Sequence, residues 1–145
     1  MYVDKELAFQ VMGTPQAETT VATHVSTNVI DLTHIPRTII ENAYFVFRCA
    51  VVPISAGGGT LQIDLDVSAA VGLTTPTHLW SSGVLANATI VAWTANTIIY
   101  AVKVPAYMPL QYLGVNYTIA TAVLTAGSWE AWLTPNAPYY IPATP

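Results

Sequence analysis

The chain has 145 residues, about the length of one ordinary domain; 53% of them are apolar and only 8% are charged. Charged residues make up about a quarter of a typical soluble domain, so charge cannot dominate the surface of this protein. The net charge is −4, and the four basic residues (Lys5, Arg37, Arg48 and Lys103) are scattered along the chain. Direct nucleic-acid binding, which needs clustered cations, is therefore set aside.

The same composition raises the question of a membrane protein. The longest nearly apolar stretch, Ala43–Ile54, is interrupted by Arg48 and Pro53, and it is shorter than the roughly 18–20 residues that a spanning helix needs. We therefore expect no membrane partner. The first residues carry acids and lead into no apolar segment, so we expect no secretory signal and synthesis in the cytoplasm.

Short runs rich in β-branched and aromatic residues, separated by clusters of Gly, Pro, Asn and Ser, dominate the sequence. This spacing is typical of a β-sandwich or barrel. Helix is expected for no more than a turn or two, at Val3–Met12 and Ile35–Ala43. The predicted strands, in chain order, are Thr19–His24, Asn28–Leu32, Tyr44–Val52, Thr60–Ser68, His78–Ser81, Thr97–Val104, Tyr112–Ile119 and Ser128–Leu133.

Eight strands with minimal helix predict an all-β fold, an antiparallel β-sandwich of jelly-roll type. We expect one sandwich domain over residues 1–134, with residues 1–17 as an N-terminal extended segment. Within it, Thr60–Ser68 has the clearest alternation, with one face predicted to be wet. Tyr44–Val52 is apolar on both faces apart from Arg48, and Pro53 is expected to end its ladder.

Residues 135–145 are expected to form a Pro-rich C-terminal arm, because four prolines block both sheet and helix. This arm carries Tyr139, Tyr140 and Ile141. Large apolar side chains on an extended segment favour a strap that docks on a partner over a free tail. The Pro105–Pro109 loop, which carries Tyr107 and Met108, is expected to contact a partner for the same reason.

Residues that carry chemistry are few. Three histidines are spread without the close spacing of a metal site, and nucleotide-binding, hydrolase and metalloprotease motifs are missing from the sequence. Cys49, the only cysteine, lies in an apolar strand pattern and is expected to be a buried small side chain. We therefore expect no catalytic residue, no cofactor and no metal.

Asp64 and Asp66 are two residues apart on one strand, so their carboxylates point the same way. Such a pair could bind calcium or act as an acid and a base. We favour the plainer interpretation, a charged and solvent-exposed strand face, because the neighbouring sequence supplies no clear further ligands.

Aromatic residues are numerous, with four tryptophans and eight tyrosines. Most are expected in the core. Trp129 and Trp132 differ in parity along one predicted strand, so they should point to opposite faces, and only one can lie in the core. Trp132 is therefore a candidate contact residue. Trp80 and Trp93 lie near polar turn residues and could form a sugar-binding platform.

Several short segments, taken in order, resemble one known family. They are Met1–Asp4, Ser26–Leu32, Gly59–Ile63, Tyr112–Tyr117 and Thr125–Gly127. Over almost the whole chain the sequence resembles the small jelly-roll cement, or decoration, proteins that bind the outer capsid surface of short-tailed double-stranded DNA bacteriophages.

The resemblance implies a non-enzymatic virion protein, made in the host cytoplasm and placed on the outer capsid surface. Its implied partners are the major capsid protein and further copies of itself, as a homodimer or a homotrimer at a symmetry axis. We expect the interface to include Tyr107, Met108, Trp132, Tyr139, Tyr140 and Ile141. The alternative is a carbohydrate-binding or receptor-binding jelly-roll module of a phage tail or surface.

Overall fold

The computed structural model describes residues 7–11, 13–105 and 110–135. These residues form eight strands and two short helices. The strands are β1 (Ala22–Val25), β2 (Ile30–Asp31), β3 (Tyr44–Ile54), β4 (Thr60–Ser68), β5 (Thr77–Leu85), β6 (Thr97–Lys103), β7 (Tyr112–Ala120) and β8 (Ala126–Thr134); the helices are α1 (Arg37–Glu41) and α2 (Asn87–Ile90).

The strands form two antiparallel sheets. The larger has the order β1-β7-β4-β5, with β2 also paired to β7, and the smaller has the order β6-β3-β8. This arrangement confirms the predicted antiparallel β-sandwich with eight strands and minimal helix. No helix in the described ranges is long and apolar enough to cross a membrane.

Alternating side chains from the two sheets form one main core. In β4, Leu61, Ile63, Leu65 and Val67 are fully buried, as the period of two in the sequence predicts. They lie opposite apolar residues of β7, in register pairs such as Ile63↔Tyr117. The smaller sheet adds a fully buried aromatic group: Phe45, Phe47 and Trp129.

Two parts of the N-terminal segment, residues 7–11 and 13–16, contact the side of β8 that faces away from β3. Ala8 and Gln16 form isolated antiparallel bridges with Trp132 and Trp129. The Phe9 amide donates to the Ala131 carbonyl over 2.9 Å, and the Phe9 side chain is fully buried in the main core. This segment therefore closes the edge of β8, which sequence patterns alone did not indicate.

Strand β3 continues beyond its predicted end. Its pairing with β8 shifts register between Val51 and Ile54, so Pro53 lies in an irregular part of the ladder rather than beyond it. Bulges tolerate proline because no regular ladder hydrogen bond is needed there. Opposite this point Gly127 has a φ of +136°, and a Cβ there would lie 3.1 Å from the Pro53 Cα.

Candidate functional site

A polar group lies on the outer face of the larger sheet, where Asp64 and Asp66 are only 4% and 0% exposed. The sequence predicts a wet, charged face at these positions, and that prediction is wrong. The register explains which residues join them: Asp66 pairs with His78 of β5, and Asp64 pairs with Asn116 of β7. We call Asp64, Asp66, His78 and Asn116 the buried polar cluster.

Hydrogen bonds connect the members of the cluster. The Asp66 Oδ1 atom bonds the His78 Nδ1 atom, and the Asn116 Nδ2 atom donates to Asp66 Oδ2 over 2.6 Å. The Asp64 carboxylate accepts from the Gln62 Nε2 atom at 3.0 Å to each oxygen. One ligand atom from each of Asp64, Asp66 and His78 lies within 4.8 Å of the others.

Distant parts of the chain cover this end of the sheet. Gly114 of β7 pairs with Asp66. A Cβ added to Gly114 would lie 2.6 Å from a Leu73 methyl carbon and 3.2 Å from a Val29 methyl carbon, so the loops that carry these residues lie close to the sheet. Leu73 is itself 4% exposed. The sheet is therefore packed beneath two loops at a place where its outer face would otherwise meet solvent.

Burial and hydrogen bonding shift two pKa values in the cluster. Burial raises the pKa of Asp66 above its usual value, against the opposing effect of the bonds from Asn116 and His78. The hydrogen bond to Asp66 raises the pKa of His78. The site therefore favours holding a proton between these two side chains.

The cationic side chains that the structure describes lie elsewhere. Arg48 of β3 bonds Glu130 of β8 and Asn96, the residue before β6. The Lys103 Nζ atom lies 5.2 Å from the centre of the Tyr44 ring. Within the described ranges, His78 is thus the one basic side chain that bonds the buried carboxyl groups, and it does so through Asp66. Two acids and one imidazole leave the cluster short of positive charge.

Two other acid–histidine pairs differ from the cluster. Glu18 and His24 lie 3.1 Å apart and are partly exposed, and Asp31 lies 3.6 Å from His34, whose side chain is 82% exposed. Neither pair belongs to a group of three candidate ligands among the described residues. They provide natural comparisons for the buried polar cluster.

Cys49 is buried, as expected from its strand pattern. Burial raises the pKa of its thiol to about 11, and the nearby Arg48 charge offsets only part of that effect. Because the thiolate is the reactive form, this side chain is unsuited to nucleophilic chemistry at neutral pH.

The predicted parity of the two C-terminal tryptophans is confirmed. Trp129 points into the main core, and Trp132 points to the other face of the smaller sheet. However, Trp132 is only 3% exposed, because it packs with Ala8, Val46 and Ile98. Within the described chain it is covered rather than free for a partner. The other predicted contact residues, Tyr107, Met108, Tyr139, Tyr140 and Ile141, lie outside the described residues.

Trp80 and Trp93 do not form an open platform. The Trp80 ring lies 5.6 Å from that of Phe45 and 5.1 Å from that of Tyr100, and the Trp93 ring lies 5.7 Å from that of Phe47. Both tryptophans pack against the main core. Their faces are engaged by protein, which leaves less aromatic surface for stacking on a sugar.

Large apolar side chains are exposed where β3 ends and β8 begins. The Thr125 amide donates to the Ile54 carbonyl over 2.7 Å, and the Leu124 amide donates to the Thr19 carbonyl over 2.9 Å. These bonds bring three chain segments together. The exposed side chains on them, each 51–55% exposed, are Val21, Val51, Ile54 and Val123, which we call the apolar end.

A family model described as Bbp16 covers residues 13–133, which is most of the chain. No curated protein matches the chain.

Proposed function

The chain belongs to the Bbp16 family, and we propose that it is a capsid cement protein of a tailed bacteriophage. In this role it oligomerises on the outer capsid surface of the virion and bridges neighbouring copies of the major capsid protein. It stabilises the expanded shell and performs no catalysis. The sequence resemblance supplies this hypothesis, and several features of the molecule support it.

The observation that carries the proposal is the apolar end. Monomeric proteins seldom expose grouped large apolar side chains unless a partner covers them. Here they are held on a sandwich whose strand ends are connected by backbone hydrogen bonds. A bridging protein needs such a rigid, weakly charged contact surface, and it needs no reactive group.

The smaller sheet offers a second place for association. Strand β6 pairs with β3 on one side, and no strand of the described chain pairs with its other side. Its sequence, Thr97–Lys103, is mostly apolar. The unpaired edge of a mostly apolar strand can pair with another chain, which supports contact between copies. Symmetric association is the usual arrangement for such homo-oligomers.

The alternative, a sugar-binding or receptor-binding module, receives less support. It would need aromatic rings on an open face, whereas Trp80 and Trp93 pack against core rings. A cement protein requires no such platform.

The test is to purify particles that carry this chain and to measure its copy number relative to the major capsid protein. We expect a near-stoichiometric ratio. We also expect shells that lack the chain to melt at a lower temperature, because a partner that binds only the assembled shell must stabilise it.

Two outcomes would contradict the proposal. A handful of copies per particle would indicate a tail or receptor-binding part, and absence from purified particles would exclude a virion role. Adding the purified chain back to depleted shells provides the control, since it should restore the melting temperature.

A further inference from the structure

We propose that Asp64, Asp66 and His78 of the buried polar cluster bind a single divalent transition-metal ion of the zinc type. This inference is independent of the capsid role. It rests on the placement of three candidate ligands, on the burial of the two carboxyl groups, and on the shortage of positive charge around them among the described side chains.

The β-sheet positions the ligands. Asp64 and Asp66 are two residues apart on β4, so they share the outer face, and the hairpin register brings His78 of β5 beside Asp66. Their ligand atoms lie within 4.8 Å of one another. A zinc ion lies about 2.0–2.2 Å from carboxylate oxygen and imidazole nitrogen ligands, so small side-chain movements would let one ion reach all three.

The burial of the carboxyl groups is the second observation. Asp66 is fully buried and Asp64 is 4% exposed. A carboxylate can accept about four hydrogen bonds. Among the described side chains, Gln62 alone donates to the Asp64 carboxylate, through its Nε2 atom. Buried charge is costly unless it is paired or coordinates a metal. A cation between the two carboxylates would remove that cost.

The type of ion follows from the donors. Carboxylate with imidazole suits zinc and similar first-row ions, whereas calcium prefers six to eight oxygen ligands. His78 has a side chain that is 57% exposed, which leaves an approach from solvent and room for water as a further ligand. The Asn116 Nδ2 atom donates to Asp66 Oδ2 and would hold that carboxylate in place while its other oxygen, Oδ1, bound the ion.

Metal binding at this site exchanges a proton for the ion. The proton held between Asp66 and His78 leaves to buffer, and the Nδ1 lone pair and the carboxylate oxygen then bind the metal. The covalent bond that held this proton breaks, its electron pair stays on the ligand atom and binds the ion, and nothing is oxidised or reduced. Affinity should therefore rise with pH, and binding should release protons.

The experiment uses the full chain, freed of metal with EDTA and then dialysed. Calorimetric titration with zinc chloride near neutral pH should give one site per chain, and calcium chloride should bind at least tenfold more weakly. The variants Asp64→Asn, Asp66→Asn and His78→Gln should each weaken zinc binding by tenfold or more. The matched control is Asp31→Asn, which removes the carboxylate of the exposed Asp31–His34 pair and should leave the affinity unchanged.

A second measurement does not depend on folding of the variants. The imidazole nitrogen signals of His24, His34 and His78 can be followed by nuclear magnetic resonance in the unmodified chain during zinc addition. We expect the His78 signals to shift at one equivalent, before those of the other two. Lack of a saturable site, a first response at His24 or His34, or unchanged affinity in folded Asp66→Asn protein would overturn the proposal.

Discussion

Among single residues, Asp66 departs most from what its sequence neighbours suggest. It alternates with apolar residues as a solvent-facing strand residue does, yet it is fully buried and bonded to His78 and Asn116. Burial raises the pKa of Asp66, and the bond to Asp66 raises that of His78. Each raised pKa means that the folded state holds its proton more tightly than the unfolded chain does.

The metal-free chain should therefore lose stability as pH rises. Asp66 makes its full contribution to the free energy of unfolding below its unfolded-state pKa of about 3.9. His78 makes its full contribution below its unfolded-state pKa of about 6.5. Both contributions disappear as pH passes upward through the raised folded values, and Asp64 adds repulsion at Asp66. In EDTA, the melting temperature should fall as the pH rises above the ordinary histidine pKa of about 6.5.

The variant Asp66→Asn should show a smaller fall over the same range. Asp31→Asn is the control. Hydrogen bonds from Thr33 lower the Asp31 pKa, so the stability that Asp31 contributes is lost as the pH falls, not as it rises. Equal falls in the unmodified chain and in Asp66→Asn would contradict the assignment. Melting can be followed by circular dichroism.

Among the elements, the N-terminal segment makes contacts that the sequence does not indicate. The sequence predicts residues 1–17 as an extended segment of the sandwich domain. Among the described residues of this segment, Ala8 and Gln16 bridge to β8 and Phe9 enters the main core. The Phe9 ring lies 6.1 Å from that of Phe45, edge to face. The segment thus covers an edge that could otherwise pair with another chain.

Shortening one buried side chain tests this role. Phe9→Ala should lower the free energy of unfolding by about 3–5 kcal/mol, because it removes a fully buried ring and leaves a cavity. The control is Val11→Ala in the same segment, where the side chain is 54% exposed and the change should stay within about 0.5 kcal/mol. Urea unfolding measures both, and a small effect of Phe9→Ala would mean that the segment is only loosely attached.

For the whole molecule, the distribution of exposed apolar side chains bears most on function. The apolar end groups Val21, Val51, Ile54 and Val123 where three segments meet. Val71 is also 61% exposed, but it follows the last residue of β4. The apolar end lies near the first residue of β4, so Val71 is at the other end of that strand. The two ends therefore differ in the surface that they offer to a partner.

A charge at the apolar end should weaken shell binding. Val123→Asp is expected to lower occupancy on depleted capsid shells by tenfold or more, because burying an unpaired carboxylate in an interface is costly. Val71→Asp introduces the same charge at the opposite end and should retain binding. Quantitative gel analysis of sedimented shells measures occupancy, and equal loss in both variants would argue against a contact at the apolar end.

Much of the fold was predictable because strand alternation and turn residues are local signals. The bounds of β4 agree with the prediction, and strands appear in all eight predicted regions. The differences arise where contacts are long-range: β2 is only two residues long, β5 extends to Leu85, and α2 was not expected. The length of a strand depends on its partner, which local sequence does not reveal.

The sequence by itself determined the sandwich class, the inward face of β4 and the inert Cys49, because these follow from periodicity and burial within one segment. Only the tertiary structure decided that Asp64 and Asp66 are buried and that His78 joins them. The loops that pack over Gly114 carry Val29 and Leu73, far from it in sequence, and His78 reaches Asp66 through a hairpin register. A period of two separates the faces of a strand, but it cannot tell which outer face another part of the chain will cover.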